Sequence, residues 1–212
     1  QYPAYLNGLK LQSADGQPLT DANYLDYLKS YLIKSANKAF RAGGVMPDNA
    51  GITLENEAVT DINLPKYLEY VVTKQPLKSP PAFDMLGVIA GSRATPENQV
   101  FGDENGQSAN FTEYALRKAT GNSSATLDPA IAERVRLMNP MNFIGDKSST
   151  VAPNWYIRHG ANDRDTGFQI ALNLHTKLVN AGFNPDFAFA WGKPHTGDYD
   201  LDELFEWIKG IV

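Results

Sequence analysis

Asp163 and His195 sit in two turns of the same kind, and together they are two thirds of a hydrolase triad. The apolar run Asn154–His159 ends in the polar turn Gly160–Thr166, which holds Asp163 and Asp165. A helical pattern follows, and then a second apolar run, Phe187–Trp191, ends in a turn that holds His195. An aspartate that accepts the Nδ1–H of an imidazole fixes its tautomer and stabilises the imidazolium that forms. The histidine then takes a hydroxyl proton through Nε2. Catalytic groups of α/β sheets lie at the carboxyl ends of strands, where several turns meet. The order acid then histidine, with both after an earlier serine, is that of α/β-hydrolases.

The third member is missing. A serine nucleophile of this class sits in Gly-x-Ser-x-Gly between a strand and a helix, because only a tight turn exposes its hydroxyl at the sheet edge. The sequence contains no such pentapeptide. Gly106-Gln107-Ser108-Ala109-Asn110 and Gly121-Asn122-Ser123-Ser124-Ala125 come nearest, but they lack the final glycine and a preceding apolar strand. A competing reading takes His159, Asp163, Asp165 and His195 as zinc or manganese ligands, since imidazoles and carboxylates serve both ions. No His-x-x-x-His pair or similarly close spacing supports it, so no metal and no cofactor is expected. The third histidine, His175, shares a helical pattern with apolar neighbours and reads as structural.

The elements that must position these groups follow from periodicity and caps. The last sixty or so residues read strand, turn, helix, strand, turn, helix, with strands at Trp155–Ile157 and Phe187–Trp191. Thr166 is expected to cap the first helix and Gly182 to stop it, while Asp200 and Glu203 pair as a capping box for the second. Leu204, Phe205, Ile208 and Ile211 are expected to pack inward. This is a parallel-sheet unit with helical crossovers, and two strands cannot make such a sheet alone. Its remaining strands are expected outside these residues.

Upstream, Asp21 is expected to cap a helix from about Ala22 to Arg41 with a stripe of Tyr24, Tyr27 and Tyr31, read as core. Thr53–Asp61 alternates weakly, as a short strand or a loop. Asn63 or Leu64 opens a helix to about Thr73, Phe111–Ala119 a short one, and Asp128-Pro129 another that ends near Pro140. Between them Lys78–Gly106 is irregular, with Pro80 and Pro81 barring a helix interior. Long irregular stretches of this kind are more often binding loops or lids than filler.

Composition bounds the partners. The 212 residues carry a formal net charge of −5 with no basic block, which argues against nucleic-acid and anionic-membrane partners. No apolar run approaches the roughly 18 residues that span a bilayer. Cysteine is absent, which removes disulfides and thiolate chemistry and suits a bacterial protein of any compartment, cytoplasmic or secreted. The chain opens at Gln1 without an initiator Met, which fits either a processed mature protein or the C-terminal part of a longer polypeptide.

The residues around the two turns resemble a known family. WYIRHGANDRDT (Trp155–Thr166) and KPHTGDYDLDELFEWI (Lys193–Ile208) closely resemble the C-terminal end of bacterial tannases, the tannin acyl hydrolases of the α/β-hydrolase superfamily. YPAYLNGL (Tyr2–Leu9), PPAFD (Pro80–Asp84) and TPENQVFGDE (Thr95–Glu104) resemble the same family. The resemblance implies the C-terminal part of an α/β-hydrolase fold with a mostly helical lid insertion. Residues 1–11 would be an opening segment of the hydrolase core, 12–145 the lid, and 146–212 the unit carrying the acid and the histidine. It implies a serine esterase cleaving galloyl and related aromatic esters through an acyl-enzyme, with Asp163 as triad acid and His195 as base. Asp165, Lys78 and Glu97 would read the ring hydroxyls of the substrate. The serine would lie in an N-terminal part of the polypeptide or in a companion chain, and these residues alone would be inactive. The alternatives are a feruloyl or general carboxylesterase, or a non-catalytic relative that binds a phenol or a sugar.

Overall fold

A computed structural model describes residues 2–73, 76–78 and 81–211. The chain divides into two compact units: Gln1–Leu77 together with Lys147–Val212, and Lys78–Asp146.

The first unit begins with α1 (Tyr2–Leu9), a helix where only an opening segment was expected. Next comes α2 (Tyr24–Arg41), whose buried positions Tyr24, Leu28, Leu32 and Ala36 recur at helical spacing. Its N-cap position is held by Asn23 and not by Asp21, without a side-chain capping bond, because the Asn23 side chain is turned away from the helix to accept from the Thr20 backbone N–H at 2.8 Å. Residues 53–61 prove to be most of a hairpin: β1 (Ile52–Glu55) pairs antiparallel with β2 (Ala58–Ile62). Asn56 and Glu57 form its two-residue turn, both at positive φ, the backbone that matches the twist of paired strands. Then α3 (Leu64–Val71) starts at Asn63, whose side chain accepts from the Lys66 N–H.

Among its described residues the second unit holds the short α-helices α4 (Pro96–Val100), α5 (Glu113–Thr120) and α6 (Pro129–Met138), the last followed by a 3-10 turn at Pro140–Asn142. The α4 helix lies within the stretch expected to be irregular, and a Thr95/Asn98 capping box starts it. Thr112 and Asp128 cap α5 and α6. Pro80, one of the prolines weighed above, lies outside the described residues. Buried polar side chains, Asp84, Asn98 and Asn110, are prominent inside this unit beside Ala115 and Ile144.

The chain then returns to the first unit through β3 (Tyr156–Gly160), α7 (Phe168–Asn180), β4 (Asp186–Ala190) and α8 (Leu201–Lys209). The strands pair in parallel, with His159 opposite Phe189 and Gly160 opposite Ala190. Among the described residues the sheets are two-stranded. Among the described residues no helix is long and apolar enough to cross a membrane.

Residues 12–77 do not group with the middle of the chain, because their apolar residues share one core with the C-terminal segment. Leu28, Leu32, Val59, Ile62 and Tyr67 bury against Ala161, Phe168, Leu172 and Phe189. The tyrosine stripe of α2 adds a hydrogen-bonded seam to α7. Tyr24 donates to Asn173 at 2.6 Å, Tyr27 bonds Thr176 at 2.9 Å, and Tyr31 bonds His175 at 3.0 Å. Buried hydroxyls need partners, and these meet theirs across the helix pair.

The last helix also differs from expectation. Phe205, Ile208 and Ile211 are exposed, and no residue of α8 is fully buried. The expected capping box is absent because both its acids are engaged elsewhere. Asp200 and Glu203 each lie 3.4 Å from the Arg158 guanidinium, and Glu203 also pairs with Lys38 at 2.7 Å. Trp207 packs on the Tyr156 ring, so α8 is seated by its polar and aromatic side.

Candidate functional site

The site is built where the ends of β3 and β4 meet. The backbone continues the strand pairing past the strands: Ala161 N–H donates to Ala190 at 2.9 Å, and Asn162 N–H to Lys193 at 2.8 Å. These two bonds tie the Asp163 turn to the His195 loop. Gly160 makes the approach possible, because a Cβ there would stand 2.5 Å from the Lys193 carbonyl oxygen and closer still to that of Pro194. Real Cβ atoms do not come so near, so only glycine fits at this strand end. From the other side Tyr67 of α3 is wholly buried and donates to the Ala161 carbonyl at 2.9 Å, with Asn162 Oδ1 at 3.2 Å.

This scaffold brings Asp163 and His195 together. His195 Nδ1 lies 2.9 Å from Asp163 Oδ2. Thr166 Oγ1 donates to the same oxygen at 2.5 Å, and the backbone N–H groups of Asp165 and Thr166 donate to Oδ1 at 2.7 and 3.1 Å. Thr166 therefore does not cap α7 as expected. Gly167 holds the cap position, and the threonine hydroxyl is committed to the carboxylate. Burial alone would push the Asp163 carboxyl up. The bonds from Thr166, His195 and the backbone outweigh it and hold the group below the usual carboxylate range, so it is ionised.

The His195 ring is half exposed, and with Nδ1 on the carboxylate, Nε2 is the atom left to exchange a proton. His159 is buried edge-on against Phe168 and Phe189, with Nε2 3.6 Å from Asp163 Oδ2. Its burial pushes it below the usual imidazole range, against the pull of Asp163, and keeps it neutral. Burial, reinforced by the Asp163 charge, pushes the Tyr199 hydroxyl up.

Asp165 belongs to the same constellation, with a carboxylate oxygen 3.0 Å from Arg164 Nε. Asp163, Asp165 and His195 could each bring one donor atom within 4.8 Å of one another, as a cation would require. Asp163, however, already accepts four N–H and O–H donors, which uses the lone pairs of both its oxygens. That is the pattern of an orienting carboxylate. A cavity of about 420 Å³ opens beside the pair. Its lining includes Asn162 and Arg164, which flank Asp163, Pro194, which precedes His195, and Tyr70. Its volume suits a small organic molecule.

Lys78 and Glu97 lie in the second unit. The Lys78 ammonium sits over the Phe83 ring, 4.5 Å from its centre, and Glu97 is in the first turn of α4, half-buried. Sequence reasoning missed Thr166, Tyr67 and Gly160 as parts of the site. The clue for Thr166 was local: in Asp-Arg-Asp-Thr the hydroxyl stands three residues after the acid, within reach of its own turn.

No protein-family model and no curated protein matches the chain. Solved structures do match. The crystal structure of tannase from Lactobacillus plantarum gives a TM-score of 0.83 at 40% identity, covering 100% of this chain and 43% of that one. A tannin acyl hydrolase in complex with ethyl gallate gives 0.82 at 40% identity, covering 100% of this chain and 44% of that one. The tannase of Fusobacterium nucleatum gives 0.79 at 35% identity, covering 99% of this chain and 44% of that one. The chain thus spans less than half the length of these relatives. The fold is tannase-like, partly helical with small sheets. Over its whole length the chain resembles the C-terminal part of the bacterial tannases.

Proposed function

We propose that this chain is the acid-and-base part of a serine esterase of α/β-hydrolase type that cleaves galloyl and related hydroxybenzoate esters. The observation that carries the reading is the 2.9 Å contact between His195 Nδ1 and an Asp163 held ionised by its other donors. The serine lies outside these residues, in an N-terminal part of the same polypeptide or in a companion chain. Two features support that placement. Parallel sheets are covered and rarely stop at two strands, and α8 leaves Phe205, Ile208 and Ile211 exposed.

In the proposed reaction His195 Nε2 removes the proton of the serine hydroxyl as its oxygen attacks the ester carbonyl carbon. Asp163 stabilises the resulting imidazolium. Collapse of the tetrahedral intermediate breaks the carbon–oxygen bond to the alcohol, which leaves with the proton from Nε2. Water, deprotonated by the same nitrogen, then releases the aromatic acid and regenerates the serine. Asp165, Lys78 and Glu97 contact the ring hydroxyls, with the carboxylates as acceptors for phenolic O–H donors and the ammonium as donor to a phenolic oxygen. Residues 12–145 act as the lid, which carries two of these groups.

A site built to bond hydroxyls rejects substrates that lack them. Asp165→Ala in the complete enzyme is therefore expected to lower kcat/KM for methyl gallate much more than for methyl benzoate. Equal losses on both esters would remove the hydroxyl-reading role and leave a general carboxylesterase.

A further inference from the structure

The second unit is organised on a buried carboxylate that the reaction does not use. Asp84 is 2% exposed and accepts five hydrogen bonds. Its Oδ1 accepts from the side-chain amides of Asn98 at 2.7 Å and Asn110 at 2.8 Å. Its Oδ2 accepts from the Phe111 and Thr112 N–H groups at 3.0 and 2.8 Å, and from the Thr112 hydroxyl at 2.7 Å. Charge-assisted bonds of this number, shielded from water, fix the loops that supply them.

Asn98 extends the network. It is fully buried, and its Oδ1 accepts from the N–H groups of Met85, Leu86 and Thr95 at 3.2, 3.2 and 3.1 Å. Its amide also donates to the Ala109 carbonyl at 2.8 Å. The Thr95 hydroxyl in turn donates to the Phe83 carbonyl at 2.5 Å. Two ends of this network matter. Phe83, held through Thr95 and adjacent to Asp84, is the ring under the Lys78 ammonium. Asn98 is the residue next to Glu97, and its side chain completes the capping box that starts the helix carrying that glutamate.

We propose that Asp84, acting through Asn98, is a positioning residue that sets Lys78 and Glu97 relative to each other for recognition of the hydroxylated ring. The inference rests on the reading that Glu97 and Lys78 contact the substrate. Neither Asp84 nor Asn98 touches it.

The test compares kcat/KM for methyl gallate and methyl benzoate in the complete active enzyme and in its Glu97→Ala and Asp84→Asn variants. The ratio of the two values does not depend on how much enzyme is folded, so a merely stabilising role leaves it unchanged. Asp84→Asn replaces one acceptor oxygen by an amide that faces existing donors and must shift the loops. An error of about 1 Å in positioning costs up to about a hundredfold. The expected result is that both variants lower the ratio by about tenfold or more. Asn110→Ala, which removes one donor to Asp84 and leaves the carboxylate in place, gives the same comparison with a smaller drop should Asp84→Asn yield no folded protein. A lowered ratio in Glu97→Ala beside an unchanged one in the Asp84 and Asn110 variants would overturn the positioning role alone. An unchanged ratio in Glu97→Ala would overturn the substrate contact, and the positioning role with it.

Discussion

The Thr166 hydroxyl and Asp163 Oδ2 are 2.5 Å apart, on the oxygen that also accepts His195 Nδ1. The threonine therefore helps to keep the carboxylate ionised and aimed at the histidine. Thr166→Val keeps the shape and removes the donor. A hydrogen bond to a charged group contributes about 1.5–3 kcal/mol, so kcat for the complete enzyme should fall by about tenfold or more with KM little changed. Steady-state kinetics on methyl gallate check this, and an unchanged kcat would make Thr166 a bystander.

Gly160 sets how near the His195 loop can come to the end of β3. A methyl group at this position meets the backbone carbonyls of Lys193 and Pro194, neither of which is the end of a flexible side chain. Gly160→Ala should displace the loop and lower kcat/KM by about a hundredfold, the scale of a misplacement near 1 Å. Overpacking should also reduce stability by about 1–3 kcal/mol. Activity together with a thermal melt separates the two effects, and wild-type activity in a folded variant would show that the approach is not needed.

His175 makes a stability prediction independent of catalysis. Its ring is stacked on Phe187 and bonded to Tyr31, and burial together with the Lys34 charge pushes it down to about 4. The unfolded chain takes up that proton near the ordinary value of 6.5. Between these values the unfolded state binds more protons than the folded one, so stability is full above the upper value and falls as pH drops through the window. The loss should reach about 2 kcal/mol by pH 5. His159 is shifted the same way and adds to the trend, while Asp163 titrates below the window. Urea denaturation at pH 7.5 and pH 5 should show a weaker pH dependence in His175→Gln than in the wild type. Identical dependences would rule out His175 as a contributor.

Local chemistry was legible in the sequence where it acts within a few residues. The caps at Asn63 and Asp128 and the strand-end placement of Asp163 and His195 follow from turn and helix signals alone. The packing of residues 12–77 on the C-terminal segment was not legible there, for a physical reason. The hydroxyls of Tyr24, Tyr27 and Tyr31 find their partners on α7, far along the chain, and a tyrosine stripe does not announce where its hydroxyls will bond. The same holds for Tyr67, whose bond to Ala161 joins α3 to the Asp163 turn. The hairpin of β1 and β2 went unread as a pair because its turn is Asn56-Glu57, without the glycine that usually marks such a turn. Thr166 bonds the carboxylate where its type predicts a cap, because the same hydroxyl serves helix starts and carboxylates equally well.

The pairing of His195 with Asp163 is tested most directly by kcat for methyl gallate in the complete enzyme carrying His195→Ala. Removing the base of such a triad costs on the order of 10⁴-fold or more in kcat, because the serine hydroxyl then loses its proton acceptor. A fall of that size, with the variant folded and KM within a few-fold of the wild type, is the expected result. A folded His195→Ala enzyme with kcat within about tenfold of the wild type would contradict the assignment of His195 as the base.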